Sequence, residues 1–143
     1  MSNAENSTTK PIIHEGPSVS VPASEISFID TGVKTEKGEL RAGPAYGDLQ
    51  NGRHGTFVRM PAGFKSPVHT HTEDYFAVVV EGVGSNHPVG AEAEAEPLPK
   101  GSYWFQRGEE AHVTECLSET DCLFFIVQPG KFDYVIDETA EKK

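Results

Sequence analysis

The stretch from Gly63 to Gly82 constrains this chain most, because it sets two histidines, His69 and His71, just before an unbroken run of β-forming residues. In extended backbone alternate side chains share a face, so imidazoles at i and i+2 point the same way, as two ligands converging on one metal ion must. Tyr75 to Glu81 is rich in β-branched and aromatic residues and reads as a strand. Pro61, Gly63 and Pro67 punctuate the approach, and Gly82 with Gly84 ends the run in a turn. The histidines therefore sit on sheet.

The rest of the chain repeats short strands broken by turn residues. His54 to Met60, Ser102 to Gln106, Ala111 to Leu117 and Cys122 to Gln128 read as strands, the last two joined by Ser118 to Asp121 as a hairpin loop. Ile26 to Ile29 is a short strand closed by Asp30, Thr31 and Gly32, with a charged turn over Lys34 to Gly38. Leu40 to Asp48, broken by Gly43, Pro44 and Gly47, reads as irregular or weakly extended; within Gly84 to Lys100 the alternating Ala91 to Glu96, a solvent-edge strand or a charged loop, reads as a short exposed segment. Convincing amphipathic helices with cap signals are missing; Asp137 to Lys143 would form a frayed turn at most. With 143 residues, one barrel or sandwich is expected rather than two domains. The expected divisions are an arm over 1–22, one barrel over 23–136 and a tail over 137–143.

A net charge of −10 and the lack of basic clusters argue against nucleic acid and anionic membrane surfaces as partners. No apolar run approaches the length that spans a bilayer. Ser-Asn-Ala after Met1 looks like a scar of tag cleavage, and the start lacks the regions of a signal peptide. Localisation leans to the cytoplasm, with the periplasm open if a signal was trimmed. Cys116 and Cys122 are too few for a disulfide framework; a bond between them needs Cα atoms within about 7 Å, and the sequence leaves that open.

Two histidine motifs carry a family resemblance. Gly63, His69, His71 and Gly82 fall in register with the first cupin motif, with Tyr75 in its glutamate slot. Gly101 and His112 keep the spacing of the second, with Arg107 in its proline slot, Glu109 in its glycine slot and Cys116 in its asparagine slot. Over roughly Arg53 to Gln128 the chain resembles small single-domain cupins of unassigned function. The resemblance implies an all-β double-stranded β-helix, a jelly-roll barrel, whose N-terminal arm is disordered or strand-swapping.

It also implies His69, His71 and His112 as ligands of one divalent transition metal. Three neutral imidazoles with open positions suit zinc, iron(II), nickel, copper or manganese. Tyr75 and Glu73 are the candidate catalytic groups. A phenol ligates poorly unless deprotonated, so Tyr75 is a supporting hydrogen bonder or proton donor, or simply a core aromatic. Glu73 shares the parity of the two histidines, and a short bulge would bring its carboxylate, or that of Asp74, to the metal.

The implied function is a mononuclear metal enzyme on a small organic molecule, with dioxygenase-like chemistry favoured, against a non-catalytic cupin that holds a ligand or metal for sensing or storage. A homodimer is expected through sheet edges or an added strand from Ile12-Ile13 or Val19-Ser20-Val21. His14, His54 and His87 read as exposed polar residues. Trp104, Phe105, Phe124 and Phe125 read as core, and Arg59 and Gln128 as polar groups that either orient a ligand or face solvent. Cys116, which shares the parity of His112, either faces the site or packs as a small hydrophobe.

Overall fold

The computed structural model describes residues 16–141. His14 and Ile12-Ile13 lie outside the described residues, and Val19-Ser20-Val21 belongs to no strand. The described residues form ten strands: β1 (Ile29–Thr35), β2 (Gly38–Gly47), β3 (His54–Met60), β4 (His69–Thr70), β5 (Tyr75–Glu81), β6 (Gly84–Pro88), β7 (Tyr103–Gln106), β8 (His112–Cys116), β9 (Cys122–Gln128) and β10 (Val135–Ile136). A larger antiparallel sheet has the order β1-β2-β3-β9-β5-β7 and a smaller one the order β10-β4-β8-β6. This is the all-β jelly roll expected from the sequence. A four-residue helix, Glu138–Glu141, replaces the frayed turn.

Period-two alternation decides what enters the core. Along β5, Tyr75, Ala77 and Val79 are buried while Phe76 and Val78 are exposed. On β9, Cys122, Phe124 and Ile126 turn inward and join Met60, Phe64 and Trp104 in one apolar cluster. Each such side chain, fully buried, contributes about 1.5–3 kcal/mol. Phe105 and Phe125, expected in the core, instead face outward, Phe105 being exposed and Phe125 half-buried against Phe57. Their odd numbers put them opposite Trp104 and Phe124 on the pleat.

Three segments differ from expectation for reasons visible in their pairing. Strand β1 runs through Asp30, Thr31 and Gly32, because Gly32 adopts φ 88° inside a register shift between Asp30 and Lys34 and so makes a bulge where a turn was expected. Strand β2 continues through Gly43 and Pro44. Pro44 lies beyond the last pair with β1, Ile29 with Ala42, and beside a register shift, where a missing N–H is tolerated. Gly84 to Pro88 forms β6 because it pairs residue for residue with β8, whereas Glu92–Glu94 makes only a short 3-10 turn.

The corner between β8 and β9 is also not a hairpin. These strands belong to different sheets, so 117–121 carries the chain across the barrel edge. Cys116 and Cys122, with Cα atoms 5.7 Å apart, are joined by a disulfide that ties the sheets together. Beside it, Gly82 turns with φ 84°, and a Cβ there would meet Cys122 Sγ at 2.9 Å. The bond fixes Cys116 in the core wall, 2 % exposed.

Candidate metal centre

The small sheet delivers the histidines. His69 on β4 pairs directly with His112 on β8, and their ring centroids lie 4.2 Å apart. His71, just past β4, keeps the same face, its ring 4.9 Å from His69 and 5.2 Å from His112. All three are buried, and one ring nitrogen from each lies within 4.8 Å of the others. Among the described residues they are the group of His, Cys, Asp and Glu side chains gathered closely enough to share an ion.

Their tautomers follow from the backbone around them. His69 Nδ1 is 2.8 Å from the Pro67 carbonyl, His71 Nδ1 is 2.6 Å from that of Asp133, and His112 Nδ1 is 2.8 Å from that of Glu110. A carbonyl only accepts, so each Nδ1 carries the proton and each Nε2 presents a lone pair. His112 Nε2 is buried with no hydrogen-bond partner in the protein. A buried polar atom left this way costs about 1–3 kcal/mol, unless something outside the chain satisfies it. The donor set therefore fits a transition metal held by three imidazoles.

Burial keeps these rings neutral. His69 is pushed down from 6.5 to about 2, by desolvation first and then by its neighbour His112, and His112 falls to about 4 by desolvation. His71 is lowered by burial against the opposing pull of the Asp133 carbonyl and carboxylate. Below pH 6.5 the unfolded chain takes up these protons and the folded chain does not, so stability falls as pH falls from 6.5 towards these lower values. The slope is up to about 1.4 kcal/mol per pH unit for each histidine. We expect the melting temperature of metal-free protein to be flat above pH 7 and to drop between pH 6.5 and 5. Equal melting at pH 7.5 and 5 would contradict the assignment.

A loop between β7 and β8 holds the first histidine pair in place. Glu109 N–H donates to the His71 carbonyl at 2.7 Å, and Gly108 N–H to Asp74 Oδ1 at 2.7 Å. Glu109 is the non-glycine residue with positive φ, 68°, among the described residues. The residue in the second-motif glycine slot thus has a left-handed backbone, the conformation glycine adopts most easily. Such a conformation costs about 1–2 kcal/mol and glycine's extra freedom about 0.5–1 kcal/mol, so Glu109→Gly should stabilise by up to about 1 kcal/mol in denaturant melts. A loss of stability would show that the Glu109 side chain has its own role.

Of the two candidate catalytic groups, Tyr75 lines the cavity that His69 and His71 border. Its ring lies 5.3 Å from that of His71, and its oxygen accepts from Trp104 Nε1 at 3.2 Å. Burial raises its phenol to about 12 against the hydrogen bonds of Trp104 and Thr114, so it stays protonated. Glu73 lies apart from the histidine group: its carboxylate packs against Gly130, where an added Cβ would sit 2.6 Å from its Cδ. Asp74 caps Gly108 instead of approaching the histidines.

Other expectations are corrected by partners remote in sequence. His54 is fully buried, with Nδ1 2.8 Å from Thr56 Oγ1 and Nε2 2.7 Å from Gln128 Oε1. Gln128 gives its amide to the Glu73 carbonyl, so its polar atoms serve the framework and orient no ligand. His87 is buried too, 3.4 Å from Glu115. Arg59 lies over the Phe28 ring at 5.1 Å.

The sequence reading missed the segment after β9. Tyr134 stacks on His69 with centroids 4.1 Å apart, Phe132 packs 5.5 Å from His71, and Asp133 anchors both His71 and Thr72. This segment ends in β10, which pairs with β4 and closes that side of the site. Three aromatic or acidic residues in a row, Phe132-Asp133-Tyr134, were the available signal.

Comparisons with known proteins agree with this fold. Residues 27–143 match the family model described as Domain of unknown function (DUF4437). No curated protein matches the chain. Among solved structures, a predicted oxalate decarboxylase from Thermotoga maritima is 23% identical, with 78% of this chain and 99% of that one covered and a TM-score of 0.62. An RmlC-like cupin from Shewanella frigidimarina is 18% identical, covering 77% and 89%, TM-score 0.58. A proposed acetylacetone dioxygenase from Methylibium petroleiphilum is 15% identical, covering 87% and 85%, TM-score 0.64. At these identities the likeness shows the fold alone.

Proposed function

The chain belongs to the DUF4437 family and has the cupin fold, and from that premise we propose that it is a mononuclear metal enzyme acting on a small organic molecule. The observation that carries this reading is the buried, unpartnered Nε2 of His112 beside two imidazoles of the same tautomer. His69, His71 and His112 would hold one divalent transition ion. Such an ion, when bound, supplies Lewis acidity or a place for oxygen next to a chelated substrate.

The chain's own groups divide the remaining work. Carbonyls of Pro67, Asp133 and Glu110 hold the rings in the ligating tautomer. Tyr75, protonated and facing the cavity, is the group that gives a proton to a bound molecule. Glu73 has a supporting part at most, since its backbone carbonyl, and through it Gln128 and His54, braces the strand end that carries Tyr75. Dioxygenase-like chemistry is favoured because the ligand set has three imidazoles and no carboxylate. The disulfide supports an oxidising compartment, opposite to the cytoplasmic lean of the sequence.

Cobalt(II)-substituted protein tests the reading. If coordination positions are open, adding azide shifts the visible absorption of the cobalt centre. A spectrum that azide does not change would mean a closed site and would favour the storage or sensing alternative.

A further inference from the structure

Charge is missing from the cavity that His69 and His71 line. It has about 50 Å³ open to the centre of a water molecule, room for a few atoms beyond a metal-bound head group. Opposite His69 and His71 it is walled by Leu40, Met60, Phe124 and Ile126. Its serine and threonine hydroxyls are committed elsewhere: Thr31 to the Leu40 carbonyl, Thr56 to His54, Thr114 to Asn86, and Ser66 to the Pro67 carbonyl, which leaves the phenols of Tyr75 and Tyr134 as the hydroxyls that face a bound molecule. Arg41 is the one cation at the wall, and its side chain is turned out, 54% exposed and paired with Asp30 at 3.1 Å. A charge placed away from the histidines would therefore be buried without a counter-charge, which is among the costliest arrangements in a protein interior.

We infer that the site takes a monopolar substrate: one oxygen-donor head at the histidines and a short, uncharged apolar body against Leu40, Met60, Phe124 and Ile126. This rests on the metal-site reading above and adds the substrate class. Molecules carrying a second charge remote from the head, whether extended dicarboxylates or zwitterions, are excluded.

Two hydroxamic acids of nearly the same shape test it on the full chain loaded with zinc. 4-Methylpentanohydroxamic acid ends in an isopropyl group; the monohydroxamate of succinic acid ends in a carboxylate of the same branched outline. Titration calorimetry should give at least tenfold tighter binding for the first. Equal affinities, preference for the carboxylate, or binding of neither would overturn the inference while leaving zinc uptake intact. Failure to take up zinc at all would overturn the metal reading and this inference together.

Discussion

Replacing His112 by alanine should weaken zinc binding by well over about 100-fold, the upper end of what losing one hydrogen bond to a ligand costs, because a ligand itself is removed. The same change should leave the metal-free fold nearly intact. Deleting the ring opens a cavity and removes the Nδ1–H bond to the Glu110 carbonyl, which destabilises, but it also deletes a buried nitrogen that no protein group satisfies. The two terms oppose, so metal-free stability should move by less than about 2 kcal/mol. Titration calorimetry and denaturant melts on one preparation check both halves. Unchanged zinc affinity would remove His112 from the site, and a collapse of the metal-free protein would make it a structural residue.

Phe124→Ala should be the most damaging single change in the larger sheet. Phe124 is 2 % exposed, packs 5.0 Å from the Trp104 ring, and closes over Gly84, where a Cβ would meet its ring at 2.8 Å. Its loss should cost about 3–5 kcal/mol, because neighbours pinned by two sheets cannot collapse into the space. For a chain of this length that lowers the melting temperature by roughly 10 °C. Phe125→Ala, one residue along but on the outer face, should cost less than about half as much. Equal losses in thermal melts would mean the inward and outward faces of β9 are wrongly assigned.

Much of this was legible in the chain because the carrying signals are local. His54–Met60, Tyr75–Glu81 and Cys122–Gln128 are short runs rich in β-branched and aromatic residues, and their bounds are those read from sequence. His69 and His71 converge because extended backbone makes residues two apart share a face. What stayed hidden depended on partners far along the chain. His54 looks exposed until Gln128, on a strand paired with its own, supplies an oxygen at 2.7 Å. Pro44 looks like a strand breaker until β1 is seen to end its pairing before it. Cys116 and Cys122 look like the two sides of a hairpin, yet they join different sheets. Tyr134 sits in a stretch with no periodicity, and only the pairing of β10 with β4 brings it onto His69.

The central claim is that His69, His71 and His112 form one metal centre. Its most direct test is elemental analysis of protein purified without a histidine tag or chelator, then stripped and reloaded with zinc or iron(II), beside the triple alanine variant of these histidines. The account predicts one ion per wild-type chain and none in the variant. Wild-type protein that takes up no ion, or a variant that keeps it, would contradict the account.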